Sequence, residues 1–155
     1  MVRKETSAAA TTRSTGASGS ARSAGGVALP GAERDHRDLV EPGLRTFFRI
    51  AERWRLDNEQ CRVLLGAPAR STYFRWKQGD VGTVSRDLVE RLSYLLGIYK
   101  ALQILLPNPD HADGWLHRAN SAPIFSGDPP LARMLAGQVA DLYVVRQYLD
   151  GERGG

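Results

Sequence analysis

Six large apolar residues recur at spacings of four and three along one stretch of the chain: Leu88, Leu92, Leu95, Tyr99, Leu102 and Leu106. That rhythm places them on one side of a helix. Val89, Leu96, Ile98 and Leu105 widen the stripe until it wraps well beyond one face. A helix so apolar must be covered on more than one side, which predicts a central spine joining two halves. Gly97 is the position where such a helix can bend. The run stays short of a membrane span, because Gly97, Lys100 and Gln103 interrupt its most apolar part and a span needs about 20 apolar residues. No stretch of useful length alternates with the period of a strand, so the expectation is an all-α fold: a helix-turn-helix N-terminal half joined by a long helix to a small helical C-terminal domain.

The flanking pattern divides the chain into three parts. Residues 1–36 are dominated by Ala, Ser, Thr and Gly with scattered arginines and few large apolar groups. Such a segment buries too little surface to offset its ordering entropy, so a disordered tail is expected there. A mis-assigned start is the alternative that stands beside it. An organellar targeting peptide, which the composition also resembles, fits much less well than either; the apolar core of a secretory signal is lacking. Residues 37–106 form a helix-turn-helix region and residues 107–155 a second helical domain. In the first, a helix is expected from Glu41, with Pro42 in its first turn and Leu44, Phe47, Phe48, Ile50, Ala51 and Trp54 on its apolar face. Asp57 followed by Gln60 has capping-box spacing and opens a second helix, which Gly66 stops. A third helix spans about Ala69 to Gln78 and ends at Gly79; the long one starts at Thr83 or Ser85. Beyond "PNPD" a short helix carries Trp115 and Leu116, and an ordered loop pegged by Ile124 and Phe125 follows. Asp128 with two prolines then starts a short helix that Gly137 stops, and a last helix runs from about Gln138 to Asp150.

Charge is unevenly spread. Of 21 basic and 17 acidic residues, nine basic and five acidic lie between His36 and Lys77, whereas residues 78–155 hold seven and nine. A basic middle and a mildly acidic C-terminal half imply two surfaces with different partners.

Two short helices joined by a glycine-bearing turn have the dimensions of a helix-turn-helix. Tyr73 and Trp76, three residues apart, are the inward anchor expected of its second helix. With these turned in, Arg70, Ser71, Thr72, Arg75 and Lys77 become the candidate DNA contacts: arginine suits guanine edges, while hydroxyls and lysine suit phosphates. The helix start adds backbone donors for one phosphate. Phe74 stands where an outer-face polar residue is expected, which points to packing on a neighbour. Arg45, Arg49 and Arg53, on neighbouring turns of one helix, are placed to hold flanking backbone. The competing reading of the same residues is a small helical core with a solvated cationic face. The stretch "STYFRWKQG" resembles the recognition helix of Xre-type regulators, which commonly reads Ser-Thr, an apolar residue, a tryptophan two residues on, and a glycine.

Further along, Trp115-Leu116, Asn120, Gly127, Pro130-Leu131, Gly137 and a closing helix to Leu149-Asp150-Gly151 are similar to the toxin-binding domain of the Xre/MbcA/ParS antitoxin family. Ala119 departs from the pattern, since a proline often precedes that asparagine. With the helix-turn-helix part, the resemblance covers roughly residues 44–151. The recurring residues also serve the fold itself, since Trp115 and Leu116 seal a core, Asn120 closes a turn and Pro130 starts a helix. The resemblance implies a partner, a cognate RES-domain toxin that consumes NAD or transfers ADP-ribose, whose active-site entrance the C-terminal region covers. Tyr148, Leu149, Asp150, Glu152 and Arg153 are the candidate toxin-binding residues at the exposed end, the acidic pair being suited to cations that hold NAD phosphates. It also implies operator DNA as a second partner and autoregulation of the operon. One module reads few base pairs, so a homodimer or a toxin-antitoxin hetero-oligomer is expected.

Catalysis is not expected. His111 and His117 stand six apart, on opposite sides of any helix, so with Asp113 they make a poor metal site. Cys61 lies in an apolar stripe far from any histidine, and as the single cysteine it leaves no internal disulfide and suits a reducing cytosol. Neither a P-loop nor a dinucleotide fingerprint is present. No cofactor, no metal and no membrane contact are expected, and a cytoplasmic location is expected. The readings that compete with a DNA-binding antitoxin are a stand-alone helix-turn-helix transcriptional regulator and an antitoxin that has lost DNA binding.

Overall fold

The computed structural model describes residues 30–154, with side chains from Asp38 onward. Seven α-helices follow one another within these residues: α1 (Pro30–Arg53), α2 (Asn58–Leu64), α3 (Arg70–Lys77), α4 (Arg86–Leu105), α5 (Pro109–Gly114), α6 (Pro130–Met134) and α7 (Val139–Gly154). A 3₁₀ turn, Trp115–His117, extends α5, and no strand occurs among the described residues. The all-α expectation holds.

α4 is the spine: Leu88, Leu92, Leu95, Ile98, Ala101 and Leu102 are all buried, with α1 packed against one side and α7 along another. Its start is Ser85, whose hydroxyl accepts from the amide of Leu88 at 3.1 Å. Tyr99 and Leu106 of the expected stripe are only half-buried, while Ile98 and Ala101 take their places in the core. α4 runs unbroken through Gly97, and the residue's role there is room. A Cβ at Gly97 would collide with the guanidinium of Arg146, which lies across α4 at this point. Glycine at this crossing admits a long cationic side chain between two close helices.

The first helix corrects the expectation. It begins at Pro30, so Glu41 and Pro42 lie inside it. Of the segment 1–36 expected to be disordered, residues 1–29 lie outside the described residues, while residues 30–36 are helical. A proline inside a helix removes one amide donor at a cost of about 3 kcal/mol. What offsets it here is packing: Val40, two residues before the proline, is 2 % exposed in the same core as Leu44 and Phe47.

The punctuation elsewhere follows the residues. Asp57 accepts from the Gln60 amide at 2.7 Å and Gln60 accepts from the Asp57 amide at 3.0 Å, closing the capping box of α2. In the C-terminal half, the Asn120 side chain accepts from the Ala122 amide at 2.9 Å, and its carbonyl accepts from Gly127 at 2.9 Å. This loop drives Phe125 into the core and leaves Ile124 half-buried beside it. Ser126 and Gly127 both take positive φ, 50° and 87°, which lets the chain reverse tightly before α6.

Candidate functional site

The outer face of α3 follows from which residues its core takes. Tyr73 is buried and Trp76 half-buried, so the opposite side presents Arg70, Ser71, Phe74 and Arg75, with Gln78 one turn on. Tyr73 is fixed from two directions: its hydroxyl donates to Asn58 Oδ1 at 2.9 Å, and its ring meets Phe48 of α1 edge-on at 5.8 Å. Burial holds its phenol well above the usual range, and burial likewise raises the Cys61 thiol beside it. Ala69 stands at the N-cap of α3 without a side-chain hydrogen bond, so no side chain competes for the first-turn amides that an anion would use.

The candidate cations are exposed but engaged. Arg70 lies 4.0 Å from Glu59, Arg75 donates to Asp80 at 2.9 Å, and Lys77 donates to Asn58 Oδ1 at 2.8 Å. The hydrogen bond to the Asp80 carboxylate raises the Arg75 guanidinium above its usual range. Glu59 is chiefly the partner of Arg62, at 2.6 Å, which holds its carboxyl below the usual range; Arg62 also donates to the Pro68 carbonyl at 2.7 Å and so secures the α2–α3 turn. Ser71 is exposed, whereas Thr72 is half-buried and leans towards the inner side. Beside α3, Arg45, Phe48 and Arg49 of α1 form a groove of about 300 Å³ with Trp76 and Lys77. Arg53 is elsewhere, 3.8 Å from Asp113 of α5, and so stands apart from its two neighbours. Phe74 does meet a neighbour, the ring of Tyr73, yet stays open on its other side. Gln78 is a member of this face that sequence reasoning passed over; the signal was present, since 70, 74 and 78 are successive turns of one stripe.

The second face lies where α7 ends beside the end of α4. Leu102, Leu105, Leu106, Trp115, Tyr148, Leu149 and Glu152 line a groove of about 260 Å³. Tyr148 is half-buried, its ring stacked on Trp115 at 6.3 Å and edge-on to Phe125 at 5.3 Å. Leu149 needs correction as an exposed end residue: it is 1 % exposed, because it completes the stripe of Leu142 and Val145 that packs on α4. Asp150 accepts from Arg146 Nε at 3.0 Å, so one member of the expected acidic pair already has a cation. Glu152 and Arg153 are exposed, and they are helical, since α7 continues through Gly151 to Gly154 instead of ending near Asp150.

His117 Nε2 donates to the carbonyl of Trp54, which ties α5 and its turn to the end of α1. Among the described residues, no three His, Cys, Asp or Glu side chains converge as metal ligands, and no helix is long and apolar enough to cross a membrane.

Residues 38–97 match the antitoxin Xre-like helix-turn-helix domain, and residues 101–155 match the antitoxin Xre/MbcA/ParS C-terminal toxin-binding domain. The chain is 52 % identical over 116 residues to the uncharacterized protein y4oB of Sinorhizobium fredii (strain NBRC 101917 / NGR234), a match spanning 75 % of this chain and 88 % of that one. No solved structure matches it. The two domain matches meet within α4, and the chain belongs to the Xre/MbcA/ParS family of antitoxins.

Proposed function

We propose that this chain is the antitoxin of a type II toxin-antitoxin pair, and that it silences a RES-type, NAD-consuming toxin by covering the entrance to its active site. The observation that carries this reading is the groove between the ends of α4 and α7. Its lining is apolar and aromatic apart from Glu152, and Glu152 and the adjoining Arg153 are both exposed. An apolar floor with a charged margin is the arrangement of a protein-binding hot spot. Tyr148 supplies a rigid aromatic contact, and Glu152 faces the cations that a toxin uses for NAD phosphates. In this reading, residues 107–155 act on the toxin in the cytoplasm. Residues 37–106 place α3 on operator DNA as a homodimer or toxin-bridged assembly, which represses the operon.

Co-expression with the product of the neighbouring gene tests it. The wild-type chain is expected to co-purify with that product and to abolish its toxicity. A charge-reversed Glu152→Arg, Arg153→Glu chain, altered only at exposed positions, is expected to fold yet lose both effects. Absence of any complex would favour a stand-alone regulator, and full silencing by the reversed chain would move the contact to another face. Removing α7 is no test, because Leu142, Val145 and Leu149 are core residues.

A further inference from the structure

Phe74 is the large apolar side chain on α3 that the fold leaves open, 44 % exposed on the same stripe as Arg70 and Gln78. It is also held in place. Its ring meets Tyr73 edge-on at 5.0 Å, Tyr73 meets Phe48 at 5.8 Å, and the Tyr73 hydroxyl is fixed by Asn58 at 2.9 Å. Phe74 therefore ends a chain of three aromatic rings rooted in α1, and forms one wall of a groove of about 180 Å³ shared with Asn58, Glu59, Arg62 and Arg70.

We propose that Phe74 is a specificity-determining residue that reads the 5-methyl group of a thymine in the major groove. The inference rests on the reading of α3 as a DNA-binding helix. A phenyl ring has no donor or acceptor, so it cannot decode the polar base edges. The thymine methyl is the apolar feature among the four bases that it can recognise, and a polar guanine or cytosine edge would be desolvated against it without compensation. Position supports this. Phe74 lies one turn after Arg70, about 6 Å along the helix at 1.5 Å per residue. Base pairs stack about 3.4 Å apart, so the thymine falls about two steps from the base that Arg70 meets.

The test uses the full chain and a fragment of its own promoter, with the bound segment mapped by footprinting. Each thymine in that segment is then replaced singly by deoxyuridine, which lacks only the methyl. At one position per half-site the wild-type chain is expected to lose about fourfold in affinity, the amount one buried methyl-sized group provides. Phe74→Ala, with its helicity checked by circular dichroism, is expected to bind the thymine fragment about fourfold more weakly than wild type and to be indifferent to the replacement. Phe74→Leu, which keeps an apolar contact, should retain part of the discrimination and serves if the alanine variant folds poorly. A wild-type chain that binds the fragment but tolerates every replacement overturns the proposal. So does a Phe74→Ala chain that still discriminates, or one that binds DNA normally but loses the toxin. Failure to bind any promoter fragment overturns the DNA reading itself.

Discussion

Arg91 donates from Nη2 to the carbonyl of Gly137 at 2.8 Å, across 46 positions of sequence, while its Nε holds Asp87 at 2.7 Å. Its Nη1 lies 3.5 Å from the carbonyl of Leu64 at the end of α2. One buried guanidinium, in a residue 7 % exposed, thus joins the helix-turn-helix, the spine and the turn into α7. Gly66 belongs to the same junction: its φ is +99°, and a Cβ there would fall 2.9 Å from Asp87 Oδ2. The two halves of the chain are therefore tied by a polar clamp as well as by the apolar core.

Arg91→Ala should cost about 2–4 kcal/mol, since it strips buried carbonyls of their donor and leaves a cavity. Asp87 remains half-exposed and can turn to water, which keeps the loss below that of a stranded buried charge. Arg91→Lys should recover little, because a single ammonium lacks the fork that spans the three acceptors. Urea unfolding of the three proteins measures this, and equal midpoints would refute the clamp.

On the face proposed for DNA, Asp80 holds Arg75 at 2.9 Å with both side chains well exposed, and in that reading it competes with phosphate for the guanidinium. Asp80→Asn should raise affinity for promoter DNA by up to about fivefold, the scale of one exposed ion pair. If Arg75 then gains a phosphate, the salt dependence should steepen by about 0.9 in the slope of log affinity against log salt, and Arg75→Ala should flatten it equally. Titrations at several salt concentrations check both. An unchanged slope in both variants would place Arg75 away from the backbone.

The elements legible in the sequence are those with local causes. The Asp57–Gln60 box, the glycine stops and the α4 stripe involve neighbours within a turn or two, and the helices they predict are found. The start of α1 has a distant cause: a proline reads as a first-turn residue unless the burial of Val40 is known. Leu149 is a different case, because spacing alone puts it on the stripe of Leu142 and Val145, against the family likeness that puts it at an exposed end. The engagement of Arg75 by Asp80, and of Asp150 by Arg146, depends on side-chain direction that residue type does not supply. Phe74 is legible in position alone: the helix period puts it on the outer face, but how much of its ring a neighbour covers is decided by packing.

Gly97 and Arg146 offer a cycle in which the size of one substitution's effect depends on the other. A helical Gly→Ala change normally gains about 1 kcal/mol. At Gly97 the new methyl displaces the Arg146 guanidinium, the movable end of a flexible side chain, and with it the hold on Asp150. Gly97→Ala alone should therefore fall short of that gain, whereas in an Arg146→Ala background it should show in full, at about 1 kcal/mol. Four urea curves suffice, and additivity within about 0.3 kcal/mol would mean that Arg146 does not occupy the space.

Cys61 and Tyr73 predict how stability responds to alkali. Burial raises both groups above their ordinary values of 9.0 and 10.0, so the native state resists giving up either proton. The unfolded chain deprotonates first, which makes the neutral native core most favoured below pH 9 and progressively less so as pH rises through 9.0 and 10.0. Unfolding free energy from urea titrations should therefore decline across this interval. In a Cys61→Ala, Tyr73→Phe chain, which titrates at neither position, the decline should be shallower, even though losing the Tyr73 bond to Asn58 lowers the starting value by about 1 kcal/mol. The slope carries the information, because a lost hydrogen bond shifts the whole curve and a lost ionisation flattens it. Equal slopes in the two proteins would show that these two residues do not govern the alkaline response.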